Sequence, residues 1–408
     1  MSQPQRIVII GAGLAGASAA AGLRDRGYSD EIIVLGNETH QPYELPALSK
    51  GLLLGDAEEP DWVREAGFYR EHDIDLRLGS TAARVELGAR VVVDGEGAEH
   101  RYDRLLLATG SQPRRLPIGG AGLPGVRTLR TLDDSLALRE NFGRVGRAVI
   151  IGAGWIGTEA AAAARRHGVE VTVVDRISSP LLPVLGEEVG GVFRDLHTEN
   201  GVQWRLNAEI AEIAGGEDGV RAVRLGDGTE LPAELVVMAV GAAPRVDLAH
   251  AAGLELSDDG GVAVDAGLRT AAPDVYAAGD IASHFHPRYG RRVRVEHWAN
   301  AKNQGAHVAG NLIGEAEPYL NSPYFFSDQY DLGCEYRGLA DPDTDELVVR
   351  GDLAKREFIA FWLRDGKVAA AMNVNAWDDG DALKALVDGR VAVTAQQLRE
   401  ADLAALVS

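Results

Sequence analysis

The sequence is poor in cysteine and in positive charge. Cys334 is the single cysteine among 408 residues, so the chain can form no internal disulfide and carries no redox-active pair of cysteines. Aspartate and glutamate (61) outnumber lysine and arginine (41), which gives a formal net charge of −20. Nucleic acid and anionic lipid repel a surface of this charge, so we expect no nucleic-acid partner and no membrane partner.

Long apolar runs are also missing. The most apolar stretch near the start is broken by glycines and ends at Arg24, which is too early for a membrane span. The opening residues MSQPQR pass directly into a predicted strand, so we expect no signal peptide. Together with the lack of disulfides, these absences predict a cytoplasmic protein. The length of 408 residues predicts two or three domains.

Two β-α-β patterns are present, and the second repeats the first. The first comprises RIVII (6–10), a helix over about 14–27 and EIIVL (31–35); the second comprises RAVII (147–151), a helix over 155–167 and EVTVVD (170–175). A further helix is predicted near 60–72. From about residue 321, alternating strand-like runs precede a C-terminal helix. The fold class is therefore α/β, with two Rossmann-like dinucleotide-binding domains and a C-terminal α+β domain.

The same glycine pattern follows the first strand of each repeat. In GAGLAG, Gly11 makes a tight turn, Gly13 lets the backbone approach a pyrophosphate, and Gly16 lets the helix pack on the strand. GAGWIG places glycines at the same three positions: Gly152, Gly154 and Gly157. Each helix N-terminus then presents free N–H groups to a phosphate. The duplication predicts that the chain binds two dinucleotides.

The residues after the second strand of each repeat bear on which dinucleotides these are. Asp175 ends EVTVVD, where an acid can bind the ribose hydroxyls of NADH and repels the 2′-phosphate of NADPH. The adjacent Arg176 could instead pair with that phosphate, but the position of Asp175 at the strand end points directly at the ribose and favours NADH over NADPH. In the first repeat the acid is delayed, and the ribose contact falls on Asn37 or Glu38.

Further motifs carry a family resemblance. TAAPDVYAAGD (270–280) resembles the second FAD-binding motif of flavoproteins with two dinucleotide-binding domains, in which the aspartate, here Asp280, holds the ribityl chain. The order of GAGLAG, LPALSK, LLLATGSQPR, GAGWIGTE, TAAPDVYAAGD, EHWANAKNQG and FFSDQ resembles the FAD-containing, NADH-dependent ferredoxin reductases that serve bacterial oxygenases and cytochromes P450. The likeness extends from the N-terminus into the C-terminal module.

The resemblance implies a glutathione-reductase-like architecture. It implies a discontinuous FAD-binding domain over 1–111 and 246–320, an NAD-binding domain over 112–245 and a C-terminal α+β domain over 321–408. Lys50 of LPALSK and Glu159 of GWIGTE are implied to lie near the flavin and the nicotinamide. Hydride transfer between these rings requires no side-chain acid or base, so we expect Lys50 to stabilise negative charge on reduced flavin and Glu159 to neutralise Lys50 or hold the carboxamide.

The resemblance also implies a wider set of cofactor-binding residues. Phe326 stands where relatives often have tryptophan, and Asn37 stands where some relatives have aspartate. The remaining implied contacts are Leu14, Ala15, Ala83, Ala108, Thr109, Gly110, Arg130, Gly279 and Trp298 for FAD, and Trp155, Ile156 and Gly241 for the nicotinamide nucleotide.

The predicted function is electron transfer from NADH through FAD to an iron–sulfur ferredoxin, which supplies an oxygenase or a cytochrome P450. The alternatives are a rubredoxin reductase, a non-thiol NADH oxidase, and a nucleotide-sensing interaction protein that turns over slowly. Ferredoxins are generally acidic, so docking onto this acidic chain requires a local basic patch. HPRYGRRVRVEHW supplies a candidate, with arginines at 288, 291, 292 and 294.

Two features are predicted to be structural. Cys334 lies in YDLGCEYRG, a predicted strand, and is interpreted as a core residue. His284 and His286 are interpreted as loop residues with a structural role, because two histidines without a nearby third ligand make a weak metal site. The sequence therefore predicts no metal centre.

Overall fold

A computed structural model of the chain describes residues 4–407. The chain divides into two compact units. The first unit comprises the described parts of Met1–Leu45, Pro60–Gln112 and Ala242–Asn321, and the second comprises those of Pro46–Glu59, Pro113–Gly241 and Ser322–Ser408. Each unit contains one of the two glycine motifs.

The first unit is built on a parallel five-stranded sheet. Its strands, in spatial order, are Val275–Ala277, Arg104–Leu107, Arg6–Ile10, Glu31–Leu35 and Ile74–Arg77. Helices Leu14–Asp25 and Trp298–Ile313 pack closely on each other. Glycine at 305 permits this approach, since a Cβ atom there would lie only 2.3 Å from the carbonyl oxygen of Ala15. The buried strands are almost entirely apolar, as expected for a parallel sheet that is covered on both faces.

Smaller elements complete the first unit. The helix predicted over 60–72 is only one turn, Phe68–Glu71. One antiparallel sheet contains Ala82–Glu86, Val91–Asp94 and Glu99–Arg101; a second small sheet contains Val262–Val264, Ala282–His286 and Arg291–Val293; a short helix covers Asp247–Ala251. Short segments at the limits of the unit are the 3-10 helix Leu45–Leu48 and the strands Ser111–Pro113 and Ala242–Pro244.

The second unit repeats the parallel core. Its strands, in spatial order, are Gln203–Arg205, Glu170–Val174, Arg147–Ile151, Leu235–Met238 and Val126–Arg127. The helices of this part are Gly51–Leu54, Leu132–Phe142, Trp155–Arg166 and Leu182–Glu199, and an antiparallel sheet contains Ile210–Gly216, Gly219–Leu225 and Glu230–Pro232. Strand Leu235–Met238 ends before the turn at Gly241.

A five-stranded antiparallel sheet forms the C-terminal part of the second unit. Its strands, in spatial order, are Tyr324–Gln329, Leu332–Gly338, Lys367–Val374, Glu357–Arg364 and Glu346–Asp352. One face packs against helix Leu182–Glu199, and the other packs against helices Gly380–Gly389 and Ala395–Glu400, which precede the 3-10 helix Ala404–Leu406. Cys334 is buried in this sheet, so its prediction as a core residue is confirmed.

The prediction for the two histidines was wrong in one respect. His284 and His286 lie on the buried strand Ala282–His286 and not in a loop, because the neighbouring strand Arg291–Val293 pairs with them. His286 Nε2 lies 3.1 Å from the carbonyl oxygen of Asn321, which is a structural contact. Within residues 4–407, no three histidine, cysteine or acidic side chains are grouped so that they could hold a metal ion.

Candidate functional site

Lys50 and Glu159 form a buried ion pair in the second unit. Lys50 immediately precedes the short helix Gly51–Leu54, and Glu159 lies on the inner face of helix Trp155–Arg166. The Lys50 Nζ atom lies 2.7 Å from Glu159 Oε1, and the two side chains are 16% and 5% exposed. A buried pair of this kind is maintained only when hydrogen bonds compensate the loss of water around both charges. The structure therefore brings together the two residues that were predicted to act on the reaction.

Glu159 has two further donors, and both are serines that the sequence analysis did not identify. The Ser49 hydroxyl donates to Oε2, and the Ser327 hydroxyl lies 2.6 Å from Oε1. The Lys50 Nζ atom also lies 5.1 Å from the ring centroid of Phe326, within the range of a cation–π interaction. Ser49 and Ser327 are each adjacent in sequence to a predicted site residue. The sequence could therefore have indicated that these serines lie near the site, but it could not have predicted their hydrogen bonds.

The second glycine loop, residues 152–157, has the geometry that a bound pyrophosphate requires. Gly152 has φ +111°, and a Cβ atom there would lie 2.2 Å from the carbonyl oxygen of Ala239. A Cβ atom at Gly157 would lie 1.9 Å from the carbonyl oxygen of Gly152, whereas one at Gly154 would meet no atom within 4 Å. Helix Trp155–Arg166 starts at this open position and has no side-chain cap on its N-terminus. The residues therefore fit a nucleotide whose phosphates accept from the first N–H groups.

The first glycine loop, residues 11–16, has nearly the same geometry in the first unit. Gly11 has φ +112°, and a Cβ atom there would lie 2.1 Å from the carbonyl oxygen of Ala108. A Cβ atom at Gly16 would lie 1.9 Å from the carbonyl oxygen of Gly11, and one at Gly13 would meet no atom within 4 Å. Helix Leu14–Asp25 likewise has no side-chain cap. This loop also fits a dinucleotide.

The two loops differ at the residue that follows the second strand. In the second unit this residue is Asp175, whose Oδ2 atom accepts from the backbone N–H of Ala153 at 2.7 Å. In the first unit it is Gly36, where a Cβ atom would lie 2.4 Å from the Cβ atom of Ala12. The first loop therefore excludes any side chain at the position that Asp175 occupies in the second.

The polar side chains beyond Gly36 and Asp175 also have defined surroundings. Glu38 Oε2 accepts from the Tyr43 hydroxyl at 2.6 Å, while Asn37 follows the strand directly. Asp175 Oδ1 accepts from the backbone N–H of Arg176 at 2.6 Å, and Arg176 itself is exposed. The carboxylate of Asp175 is therefore oriented by the backbone on both sides and lies against the glycine loop.

Several of the predicted FAD residues surround the first glycine loop. A Cβ atom at Gly279 would lie 2.9 Å from the Cβ atom of Ala15, which brings the turn before buried Asp280 to the start of helix Leu14–Asp25. The Thr109 hydroxyl donates to the carbonyl oxygen of Arg245 at 2.7 Å. The residues that line the same part of the first unit are Leu14, Ala108 and Gly110.

The other predicted residues lie outside the first glycine loop. Trp298 begins helix Trp298–Ile313, and its Nε1 donates to Glu44 Oε2 at 2.9 Å. Ala83 is exposed on the separate sheet that contains Ala82–Glu86. Arg130 belongs to the second unit, where it precedes the helix cap Thr131. The predicted residues at the second loop are Trp155 and Ile156, which begin the helix, and Gly241, which has φ +89°.

The basic segment before Trp298 is only partly available. Arg294 is 13% exposed and pairs with Glu296, and Arg292 Nη1 donates to the carbonyl oxygens of Val264 and Ser283 at 2.6 and 3.0 Å. Arg291 is exposed on the edge strand Arg291–Val293. Arg291 is therefore the arginine of the edge strand that is exposed and makes neither of these contacts.

Two family models match the chain over most of its length. The family model described as pyridine nucleotide-disulphide oxidoreductase matches residues 5–305, and the model described as reductase C-terminal matches residues 324–407. No helix among the described residues has the length and apolar character needed to span a membrane.

Individual relatives match over nearly their whole length. The ferredoxin–NAD(+) reductase component of the anthranilate 1,2-dioxygenase system of Burkholderia cepacia is 40% identical over 96% of both chains. Putidaredoxin reductase of Pseudomonas putida is 35% identical over 96% of this chain and 94% of its own. The crystal structure of the covalent putidaredoxin reductase–putidaredoxin complex superposes with a TM-score of 0.94 at 34% identity, covering 100% of this chain and 99% of that one.

Proposed function

We propose, because the chain belongs to the pyridine nucleotide-disulphide oxidoreductase family, that it is an FAD-containing reductase that takes electrons from NADH and passes them to an iron–sulfur ferredoxin. The ferredoxin in turn supplies an oxygenase or a cytochrome P450. The names of the relatives support the ferredoxin as acceptor, since they are reductase components of dioxygenase systems and putidaredoxin reductase. The chain is an NADH-dependent ferredoxin reductase by this proposal.

The observation that carries the proposal is the presence of two glycine loops of one geometry. A chain that bound a single nucleotide would need the open position and the close helix packing only once. A Cβ atom at Gly13 or at Gly154 would meet no atom within 4 Å. A Cβ atom at Gly16 or at Gly157 would lie 1.9 Å from a backbone carbonyl oxygen. We assign FAD to the first loop and NADH to the second.

The residues proposed to assist electron transfer, Lys50, Glu159 and Asp175, lie in the second unit. FAD, when bound, accepts a hydride and releases electrons one at a time, so the chain need supply no acid or base. The Lys50 ammonium provides positive charge for the reduced cofactor, and the ionised Glu159 carboxylate holds Lys50 in place, 2.7 Å away. Asp175 binds the adenosine ribose and disfavours a 2′-phosphate.

The route of the electrons follows from the cysteine content. Relatives that reduce disulfides pass electrons through a pair of cysteines. This chain has only Cys334, which is buried and has no second cysteine with which to form such a pair. Burial raises the pKa of the Cys334 thiol, which keeps it in the unreactive protonated form. Electrons therefore leave the flavin directly for the ferredoxin.

The domain division and the compartment are part of the same proposal. We assign FAD binding to 1–111 and 246–320, NAD binding to 112–245 and a C-terminal domain to 321–408. The protein acts in the cytoplasm, since a reductase that draws on NADH needs access to the cellular pool of that nucleotide.

A panel of purified ferredoxins tests the proposal. The protein should purify yellow with one FAD, oxidise NADH, and reduce cytochrome c only when a ferredoxin is added. Rapid NADH consumption in air without any carrier would point to an NADH oxidase, and reduction of rubredoxin alone would point to a rubredoxin reductase. Poor turnover with every carrier, together with a long-lived complex between the flavin and the nucleotide, would favour a nucleotide-sensing protein.

A further inference from the structure

A line of hydrogen bonds runs from Glu159 into the C-terminal sheet. The Ser327 Oγ atom lies 2.6 Å from Glu159 Oε1, and Gln329 Nε2 lies 3.1 Å from Ser327 Oγ. His197 Nε2 lies 2.7 Å from Gln329 Oε1, and the Tyr330 hydroxyl lies 3.5 Å from His197 Nδ1. Glu159 is 5% exposed, Ser327 and Gln329 are 1% exposed and His197 is fully buried, so water does not compete for the bonds from Glu159 to His197; Tyr330, at the far end, is 37% exposed.

The Gln329 amide sets the direction of the line. Its Oε1 atom can only accept, and it accepts from His197; its Nε2 atom can only donate, and it donates to Ser327. The Ser327 oxygen therefore accepts from Gln329 Nε2, and its own proton is directed towards Glu159. Because Gln329 Oε1 accepts from His197 Nε2, the proton of the neutral ring lies on Nε2, and Nδ1 faces the Tyr330 hydroxyl at 3.5 Å. Every donor in the line points towards the Glu159 carboxylate.

The side chains that extend the line beyond Glu159 carry no charge near pH 7. Burial lowers the pKa of His197 to about 4, so the imidazole is neutral near pH 7. The other members are the Ser327 hydroxyl, the Gln329 amide and the Tyr330 phenol. Burial raises the pKa of Tyr330, so none of the three carries a charge near pH 7. The line therefore affects Glu159 through a hydrogen bond alone, and its effect falls on the charged form of that carboxyl.

We propose that Ser327 is a positioning residue for the Lys50–Glu159 pair and that Gln329 and His197 fix the direction in which its hydroxyl donates. The inference rests on the proposed function, in which an ionised Glu159 holds Lys50. A hydrogen bond to a carboxylate favours its charged form. Without the Ser327 hydroxyl, Glu159 should take up a proton at a higher pH, and Lys50 should then lose its partner.

Three other titratable groups face Glu159. Lys50 is its ion-pair partner, and Asp328 and Cys334 interact with both charges of the pair. Burial raises the pKa of Asp328, with Glu159 acting in the same direction and Lys50 against it. Burial raises the pKa of Cys334, so the thiol stays neutral. Asp328 is therefore the group whose titration has to be separated from that of Glu159.

The test compares the FAD-loaded wild type with Ser327→Ala by pH-difference infrared spectroscopy. The carboxylic-acid C=O band of Glu159 is identified by its loss in Glu159→Gln. In Ser327→Ala the pH midpoint of this band should rise by about one unit, since a hydrogen bond to a charged group is of that size. The acid limb of flavin reduction by NADH should move by the same amount, which lowers the rate about fivefold at the wild-type midpoint.

Matched variants separate the hydroxyl from the shape of the side chain. Ser327→Thr and Ser327→Val add the same bulk, but only threonine keeps the donor, so threonine should stay near the wild-type midpoint and valine should follow alanine. Asp328→Asn removes a neighbouring negative charge and should move the midpoint in the opposite direction, to lower pH.

Two results would overturn the inference. An infrared midpoint that is the same in Ser327→Ala as in wild type would show that the hydroxyl does not act on Glu159. Equal midpoints for Ser327→Thr and Ser327→Val would assign any shift to packing. If wild-type flavin is not reduced by NADH, the proposed function fails, but the infrared comparison still decides the role of Ser327.

Discussion

Gly154→Ala separates nucleotide binding from folding in the second unit. Gly154 has φ −83° and ψ −174°, which alanine adopts without strain, and its Cβ atom would meet no protein atom within 4 Å. Alanine is a poorer residue than glycine at the position before a helix, so the free energy of unfolding should fall by about 1 kcal/mol or less. The added methyl group instead occupies the space proposed for the pyrophosphate of NADH.

The expected loss of NADH affinity follows from the bonds at the helix start. A pyrophosphate displaced by a methyl group loses the N–H donors of the first turn, and a hydrogen bond to a charged group contributes about 1.5–3 kcal/mol. The KM for NADH should therefore rise about tenfold to a hundredfold. FAD should remain bound, because the first glycine loop is unchanged.

The measurements are the FAD content of the purified variant, its urea unfolding curve and its stopped-flow reduction at a series of NADH concentrations. Gly157→Ala is the contrasting variant, since its Cβ atom would lie 1.9 Å from the carbonyl oxygen of Gly152 and should destabilise the fold. Gly13→Ala should reverse the pattern by weakening FAD. A wild-type KM for NADH in Gly154→Ala would remove the second loop from the NADH site.

The remaining predictions concern charge and pH. Lys50→Ala should stay yellow but reduce its flavin about tenfold more slowly in stopped flow, a loss of ~1.4 kcal/mol; a wild-type rate would remove Lys50 from the site. Asp175→Ala should narrow the ratio of kcat/KM for NADH over NADPH, and an unchanged ratio would show that Asp175 serves only the loop. Burial lowers the pKa of His197 to about 4, against about 6.5 in the unfolded chain. Its contribution to stability is therefore complete above pH 6.5 and is lost as the pH falls towards 4, at up to about 1.4 kcal/mol per pH unit; urea unfolding of His197→Gln should show a shallower dependence.

The repeated strand, glycine loop and helix were predictable because each is local in the sequence. EIIVL and RAVII form strands with the predicted bounds, and the predicted fold class is confirmed. Prediction was weakest where tertiary contacts decide the structure. His284 and His286 were predicted to be loop residues, yet pairing with Arg291–Val293 makes them part of a buried sheet.

The site shows the same division. The Lys50–Glu159 pair was expected from the family resemblance, but Ser327 and Gln329 carry no local signal for a donor line, since the partner His197 is 132 residues from Gln329 in sequence. The sequence shows that the acid is delayed in the first repeat, but the steric reason for Gly36 was hidden. It depends on the distance from the second strand to the alanine of the glycine loop, which is a contact between segments more than 20 residues apart.

The last prediction concerns docking of the ferredoxin. An acidic carrier approaching a chain of net charge −20 needs local positive charge to bind at a useful rate. Arg294 is largely buried and Arg292 donates to two carbonyl oxygens, so reversal of either charge would also disturb the fold. Arg291 is exposed on the edge strand Arg291–Val293, and its charge can be reversed with less risk to the structure.

Arg291→Glu should therefore raise the KM for ferredoxin about thirtyfold at low ionic strength while leaving the NADH–ferricyanide activity intact. The change of two charge units weakens the attraction by about 2 kcal/mol for charges 4 Å apart in water, and added salt should shrink the difference between variant and wild type. Arg399→Glu makes the same charge change at another exposed position and serves as the control. Equal ferredoxin kinetics in Arg291→Glu and Arg399→Glu would move the docking surface away from this strand, and the search would turn first to Lys302 and the C-terminal sheet.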